Sequence, residues 1–320
     1  MNSRRDFLLK IMGGASVILC PSIFSSKTLD LDKNLNYDDD FKLNYLLATC
    51  LYGYADLQMI LPELSKLGVS CIDIWPMIHG NQREQLDKIG ESSFKKLLEK
   101  YNARLGCITQ FKLGPFDLLN EMDIASRFGC NLIVTGTTKD DGKCLTGLEL
   151  KKAIKLFIEK MKPQLEKAEE KGITIAIENH SNLLLNSFDA IKYFFELRTS
   201  KMLKVALAPA HLPQDEIAIS NLIRYLGDDG LGLFYAWQYG KGFIGTKLSK
   251  SDECLQLPGK GDLNFTPMIA ALKDINYHGF TEVFMHPTPR GIPIGESIED
   301  VSSKIIMSHE YLNDKCKKLF

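Results

Sequence analysis

A chain of 320 residues with 45% hydrophobic and 25% charged residues has apolar material for one large domain or two ordinary ones. With 39 basic residues against 40 acidic ones the formal net charge is −1, so no global field draws the protein to nucleic acid or to an anionic membrane. Gly at 24 and Pro at 12 are near average usage, which excludes collagenous and low-complexity classes.

At the start of the chain, Ser3-Arg4-Arg5-Asp6-Phe7-Leu8-Leu9-Lys10 precedes an apolar stretch over 11–24 that is too short and too rich in Gly and Ser to span a bilayer. It reads as a removable export signal over 1–26. The order Ser-Arg-Arg-x-Phe-Leu resembles the twin-arginine signal of bacteria, which would deliver the folded protein to the periplasm. An ordinary basic start before a short amphipathic helix is the alternative. Lipid attachment at Cys20 is disfavoured by Leu19, which stands where a small residue is expected. Residues 27–43, with Asp38-Asp39-Asp40, read as a polar linker.

From Asn44 onward, short β-branched or aromatic runs alternate with segments of helical spacing. Strands are predicted over 45–51, 71–75, 104–111, 132–135, 173–178, 205–208, 233–238 and 280–285. Helical patterns follow over 57–67, 82–101, 118–128, 148–171, 187–197, 215–226, 267–275 and 298–312. Leu67-Gly68-Val69, Phe128-Gly129-Cys130 and Lys171-Gly172-Ile173 supply the glycine stop that a short helix-to-strand loop needs. Eight such units with no glycine-rich fingerprint after the first strand favour a closed (β/α)8 TIM barrel, a single domain over 44–320, against an open doubly wound sheet. The eight cysteines form no CxxC pair and no close spacing with histidine. Zinc-finger and thioredoxin-like readings therefore fail, and Cys50, Cys71 and Cys107 read as small buried hydrophobes.

In such a barrel the chemistry lies at the C-terminal ends of the strands. His79, His180, His211 and His286 fall at or just beyond those ends, whereas His278 and His309 are expected on the surface. Glu178 closes Ile175-Ala176-Ile177-Glu178, and Glu282 sits within Phe280-Thr281-Glu282-Val283-Phe284. An acid in an apolar strand is costly unless it is paired, bonded or metal-bound. Two glutamates facing a substrate from different strands would suit a two-base proton transfer at a carbon acid, and a structural role in holding a neighbouring loop is the alternative for each. Trp75 and Trp237, the only tryptophans, lie where an indole can stack on a sugar or fill the core. Arg290, in the stiff loop His286-Pro287-Thr288-Pro289-Arg290, offers planar donors to a carboxylate, phosphate or hydroxyl. Lys260, between two glycines, belongs either to a ligand-binding loop or to a plain turn.

Ile175-Ala176-Ile177-Glu178-Asn179-His180, Ala208-Pro209-Ala210-His211-Leu212, the segment from Leu257-Pro258-Gly259-Lys260-Gly261-Asp262 to Phe265, and Glu282 together resemble the xylose-isomerase-like TIM barrels, a family of sugar phosphate isomerases and epimerases. The resemblance implies that Glu178 and Glu282 hold a divalent cation and form the acid/base pair, with His211 touching substrate. Asn179, His180, His79, Trp75, Trp237, Gln238, Lys260, His286 and Arg290, at the same rim, are the substrate-binding candidates. Two expected metal ligands are missing, because Ala208 stands for an aspartate and the seventh strand has no histidine. A divalent ion would then rest on Glu178 and Glu282 with help from His211, Gln238, His180 or His286, a rebuilt site that would suit Mn²⁺, Mg²⁺ or Zn²⁺. A metal-free enzyme and a sugar-binding barrel without catalysis are the alternatives. The expected activity is isomerisation or epimerisation of a small sugar or keto-sugar, with a lyase or hydratase acting on 3-keto-sugars or 3-keto-glycosides as the second possibility.

Overall fold

The structure, a computed structural model, describes residues 41–137, 145–242 and 248–319. The export signal, Cys20, the linker up to Asp40, and Cys144 lie outside the described residues. The barrel unit begins at Phe41, three residues earlier than expected. Leu43 is buried and Phe41 packs against the core, so both belong to the barrel and not to a linker.

Eight parallel strands close in sequence order: β1 (Asn44–Ala48), β2 (Cys71–Ile74), β3 (Arg104–Thr109), β4 (Leu132–Thr135), β5 (Thr174–Glu178), β6 (Leu203–Leu207), β7 (Leu231–Ala236) and β8 (Phe280–Val283). Closure is made where β8 pairs with β1, with Leu46 beside Glu282. Every residue of β2 and β4 is buried, as parallel strands covered by helices require. The first strand ends at Ala48, short of the predicted Leu51, because Thr49–Leu51 turns into a 3-10 helix held by Thr49 Oγ1 donating to the Asp73 carbonyl at 2.6 Å.

The helices end and begin where side-chain chemistry says they should. At Lys171-Gly172-Ile173, Gly172 takes φ 65° and Ile173 N–H donates to the Ala168 carbonyl at 2.9 Å, closing the helix in a Schellman turn that frees the chain to enter β5. The side chain of Asp215 accepts from the N–H groups of Ile217 and Ala218, and Ser187 and Ser297 cap two other helices in the same way. The long pattern over 82–101 divides at Gly90 into Gln82–Ile89 and Glu91–Lys100. No helix among the described residues is long and apolar enough to cross a membrane. Cys50, Cys71 and Cys107 are buried free thiols. His278 is exposed. His309, expected on the surface, is buried and stacks on Tyr45 at 3.8 Å between ring centroids, because its face of the last helix (Ile298–Lys317) turns toward the barrel.

Candidate active site

A cavity of about 40 Å³ opens at the C-terminal ends of the strands, lined by Trp75, His79, Phe111, Glu178, His180, Phe284, His286 and Arg290. Six of these eight are residues that the sequence pointed to. Each is placed by a strand end or by the first turn beyond it. Glu178 closes β5 and His180 follows two residues later on the same face. Trp75 and His79 follow β2, and Phe284, His286 and Arg290 follow β8.

His211 stands directly behind the lining. Its Nε2 is 3.6 Å from Glu178 Oε1, its ring lies 3.9 Å from that of His180, and Ser181 Oγ lies 3.4 Å from its Nδ1. Burial pushes Glu178 up to about 8, countered by the nearby Arg290 charge and then by Tyr235. Burial also pushes the histidines down: His211 to about 2, His79 to about 3 and His180 to about 4, with His286 well below its ordinary value. All four are therefore neutral imidazoles near neutral pH. Arg290 Nη1 donates to His79 Nε2 at 2.6 Å, which places the proton of that ring on Nδ1 and joins the loop after β8 to the loop after β2.

Glu282 is elsewhere. On β8, residues 282, 284 and 286 share the inward face, so Phe284 and His286 lie between Glu282 and the mouth. Phe284 packs against Trp75 at 5.0 Å and against Trp237 at 5.0 Å, and this aromatic layer seals the interior below it. Glu282 is fully buried, and the side chain beside its carboxyl group is that of Asp73, to which it can donate when protonated. Burial, followed by the charges of Asp73 and Glu178, pushes it well above the usual carboxylate range. The expectation that Glu178 and Glu282 face one substrate from two sides does not hold in this arrangement, because only Glu178 reaches the cavity.

Four other candidates fall outside the cavity lining. Asn179 donates from Nδ2 to the Ala208 carbonyl at 3.0 Å and accepts from Ala208 N–H at 2.7 Å. It fastens the end of β5 to the end of β6 and offers a ligand little. Gln238 accepts from Leu263 N–H at 2.9 Å and donates to the Leu257 carbonyl at 2.8 Å, so its carbonyl oxygen anchors a loop. Lys260 is exposed in the turn of that loop and does not line the cavity. Trp237 donates its indole N–H to Gln256 at 3.1 Å and packs edge-on against His211 and His286, which makes it a buttress of the site.

Asp73, on β2, is a third buried acid of the barrel strands, not among the residues expected from the sequence. It accepts from Thr109 N–H at 2.9 Å and from Thr109 Oγ1 at 2.5 Å, and burial nevertheless raises it to about 7. The signal was present, since Cys71-Ile72-Asp73-Ile74 is an acid in an apolar strand like the two glutamates. Among the described residues, no three of His, Cys, Asp and Glu are grouped so as to hold a metal ion. The donors proposed for a rebuilt metal site, Glu178, Glu282, His211 and Gln238, do not converge. Glu178 and His211 meet, Glu282 lies under the aromatic layer and Gln238 is engaged.

The profile described as xylose isomerase-like TIM barrel matches residues 61–301. The chain belongs to this family. No curated protein matches the sequence. Among solved structures of xylose isomerase-like fold, the IOLI protein with a bound zinc atom superposes with a TM-score of 0.65 at 16% identity, covering 87% of this chain and 99% of that one. The D-psicose 3-epimerase of Clostridium cellulolyticum H10 with D-tagatose gives 0.63 at 16% identity, covering 84% and 98%. A xylose isomerase-like TIM barrel protein from Mycobacterium smegmatis in complex with magnesium gives 0.60 at 13% identity, covering 86% and 98%. At these identities the likeness is one of fold.

Proposed function

We propose that this xylose isomerase-like barrel is a sugar or keto-sugar isomerase or epimerase in which Glu178, backed by His211, moves the proton at a carbon next to a carbonyl. The observation that carries the reading is that Glu178 is the sole carboxylate among the residues lining the cavity, with His211 Nε2 at 3.6 Å. A carboxyl held at about 8 is matched to proton transfer near neutral pH. Neutral imidazoles around it can donate hydrogen bonds to the oxyanion that develops as the proton leaves. The fold relationship to D-psicose 3-epimerase supports the same class of reaction. About 40 Å³ is well below the several hundred Å³ of a filled small-molecule site, so a sugar enters as the Arg290–His79 bridge parts.

Zinc in IOLI and magnesium in the M. smegmatis protein make a divalent cation the cofactor that the fold suggests. Glu178 meets His211 at the cavity, with His180 beside them, and the proton transfer is assigned to Glu178 and His211 without a cation. Elemental analysis of protein purified without chelator is expected to give well under one divalent ion per chain. One equivalent that is lost in Glu178→Gln would restore the metal-centred reading.

The reaction is tested by incubating the protein in D₂O with a panel of ketoses and 3-keto-glycosides and reading deuterium by NMR. Label in an otherwise intact sugar is the expected outcome. Label accompanied by loss of water or an aglycone would make the enzyme a lyase, and binding without label would make it a binding protein. We further propose export by the twin-arginine route, on the strength of Arg4-Arg5 and the apolar run behind them. Replacing both arginines by lysine is expected to hold the protein in the cytoplasm, and unchanged periplasmic delivery would refute that route.

A further inference from the structure

Arg83, Arg127, Arg198 and Arg224 each meet a carboxylate, and Arg104 is exposed at the start of β3. Arg290 differs. It lines the cavity, and its one recorded hydrogen bond among the described residues goes to a neutral histidine. A guanidinium carries five N–H donors in a planar fork, so this bond leaves most of its capacity for a ligand. Glu178, the one carboxylate lining the same cavity, acts on it through charge without a hydrogen bond. The cavity wall thus presents a guanidinium, partly withdrawn from water, whose fork no carboxylate of the described residues occupies. A neutral sugar would desolvate that guanidinium without bringing it a second charge, which is unfavourable. A carboxylate would accept two parallel N–H bonds from the fork and would take over from His79 as the partner of Arg290.

We propose that the substrate of this cavity is an anionic sugar, a uronate or keto-sugar acid whose carboxylate pairs with Arg290 in place of His79. The proposal rests on reading the cavity as the sugar site. Calorimetric titration of the full-length protein at neutral pH with D-galacturonate, D-glucuronate, D-galactose, D-glucose and glucose 6-phosphate tests it. The uronates are expected to bind at least about tenfold more tightly than the neutral sugars. Arg290→Gln is expected to weaken uronate binding by about ten- to a hundredfold, the range for hydrogen bonds to a charged group. Arg290→Lys, which keeps the charge and loses the fork, is expected to fall between, and thermal melts of both variants check that the fold is intact. Equal binding of neutral sugars, unchanged uronate affinity in Arg290→Gln, or no uronate binding would overturn the proposal. Tighter binding of glucose 6-phosphate would overturn the carboxylate in favour of a phosphate. Uronate binding without deuterium exchange would refute the reaction assigned to Glu178 and leave this inference standing, whereas exchange in neutral sugars with no preference for uronates would do the reverse.

Discussion

The ends of β5 and β8 look alike in the sequence and differ in the folded protein. Each strand carries a glutamate among apolar neighbours, with a histidine a few residues further on. On β5 the glutamate is the last residue of the strand, so it reaches the cavity, meets His211 and feels the Arg290 charge. On β8 the glutamate is the third residue of four and does not line the cavity, whereas Phe284, the first residue past the strand, does. Two residues along a strand, about 7 Å, separate a group that can touch substrate from one that cannot. Depth along the strand, more than residue type, decides which buried acid has access to chemistry.

The sharpest way to break this comparison is to remove each acid in turn. Glu178→Gln is expected to lower deuterium exchange by at least about a hundredfold, the usual contribution of a positioned acid or base. Glu282→Gln is expected to change it by less than about threefold, because the side chain lies beneath the aromatic layer. Equal losses in the two variants, with both proteins folded, would restore the two-glutamate mechanism.

A second test uses pH. If Glu178 must be ionised to take the proton, exchange should rise about tenfold per pH unit at low pH and level off near the carboxyl's value of about 8. The neutral histidines, all pushed down by burial, contribute no step between about pH 7 and 8.5. A profile that is flat across that range would remove Glu178 as the base.

Much of this contrast was open to view in the sequence, and its failures have physical causes. The alternation of apolar runs and helical spacing carried the barrel, because buried parallel strands and amphipathic helices have different periods. Histidines clustered after strands carried the site, since those loops gather at one end of the barrel. What the one-dimensional pattern lacks is depth and partner. Asn179 looks like a ligand-facing amide until Ala208 is seen to take both ends of it. Gln238 was consumed in the same way by a loop more than a dozen residues away. Phe284 was read as part of a strand, although its place between two tryptophans makes it the floor of the cavity. Asp73 carries the same signal as the two glutamates, an acid in an apolar strand, but its partner Thr109 lies 36 residues further on.

The smallest expected effect is on stability, and it concerns Glu282 alone. Its folded value lies well above the ordinary carboxylate value of 4.5, so above that pH the folded chain keeps a proton that the unfolded chain releases. Stability therefore falls as pH rises from the ordinary carboxylate range toward the folded value. Glu178 and Asp73, raised to about 8 and about 7, add slopes of the same sign. The buried histidines oppose them at acid pH, where the unfolded chain takes up protons that the folded chain refuses, but between about pH 7 and 8.5 they are neutral in both states. In that window the decline comes from the acids and, toward its upper end, from the buried thiols of Cys50, Cys107 and Cys130, which burial also pushes up, so the difference between parent and variant isolates Glu282; each full proton of difference is worth about 1.4 kcal/mol per pH unit. Glutamine in place of Glu282 cannot titrate and can donate to the Asp73 carboxylate beside it. Melting of Glu282→Gln is therefore expected to lie about 2 to 6 °C above that of the parent near pH 8.5, with the gap narrowing toward pH 5. A variant that melts lower than the parent across the whole range would mean that Glu282 is ionised and paired in the folded protein, and the barrel interior would then contain a counter-charge.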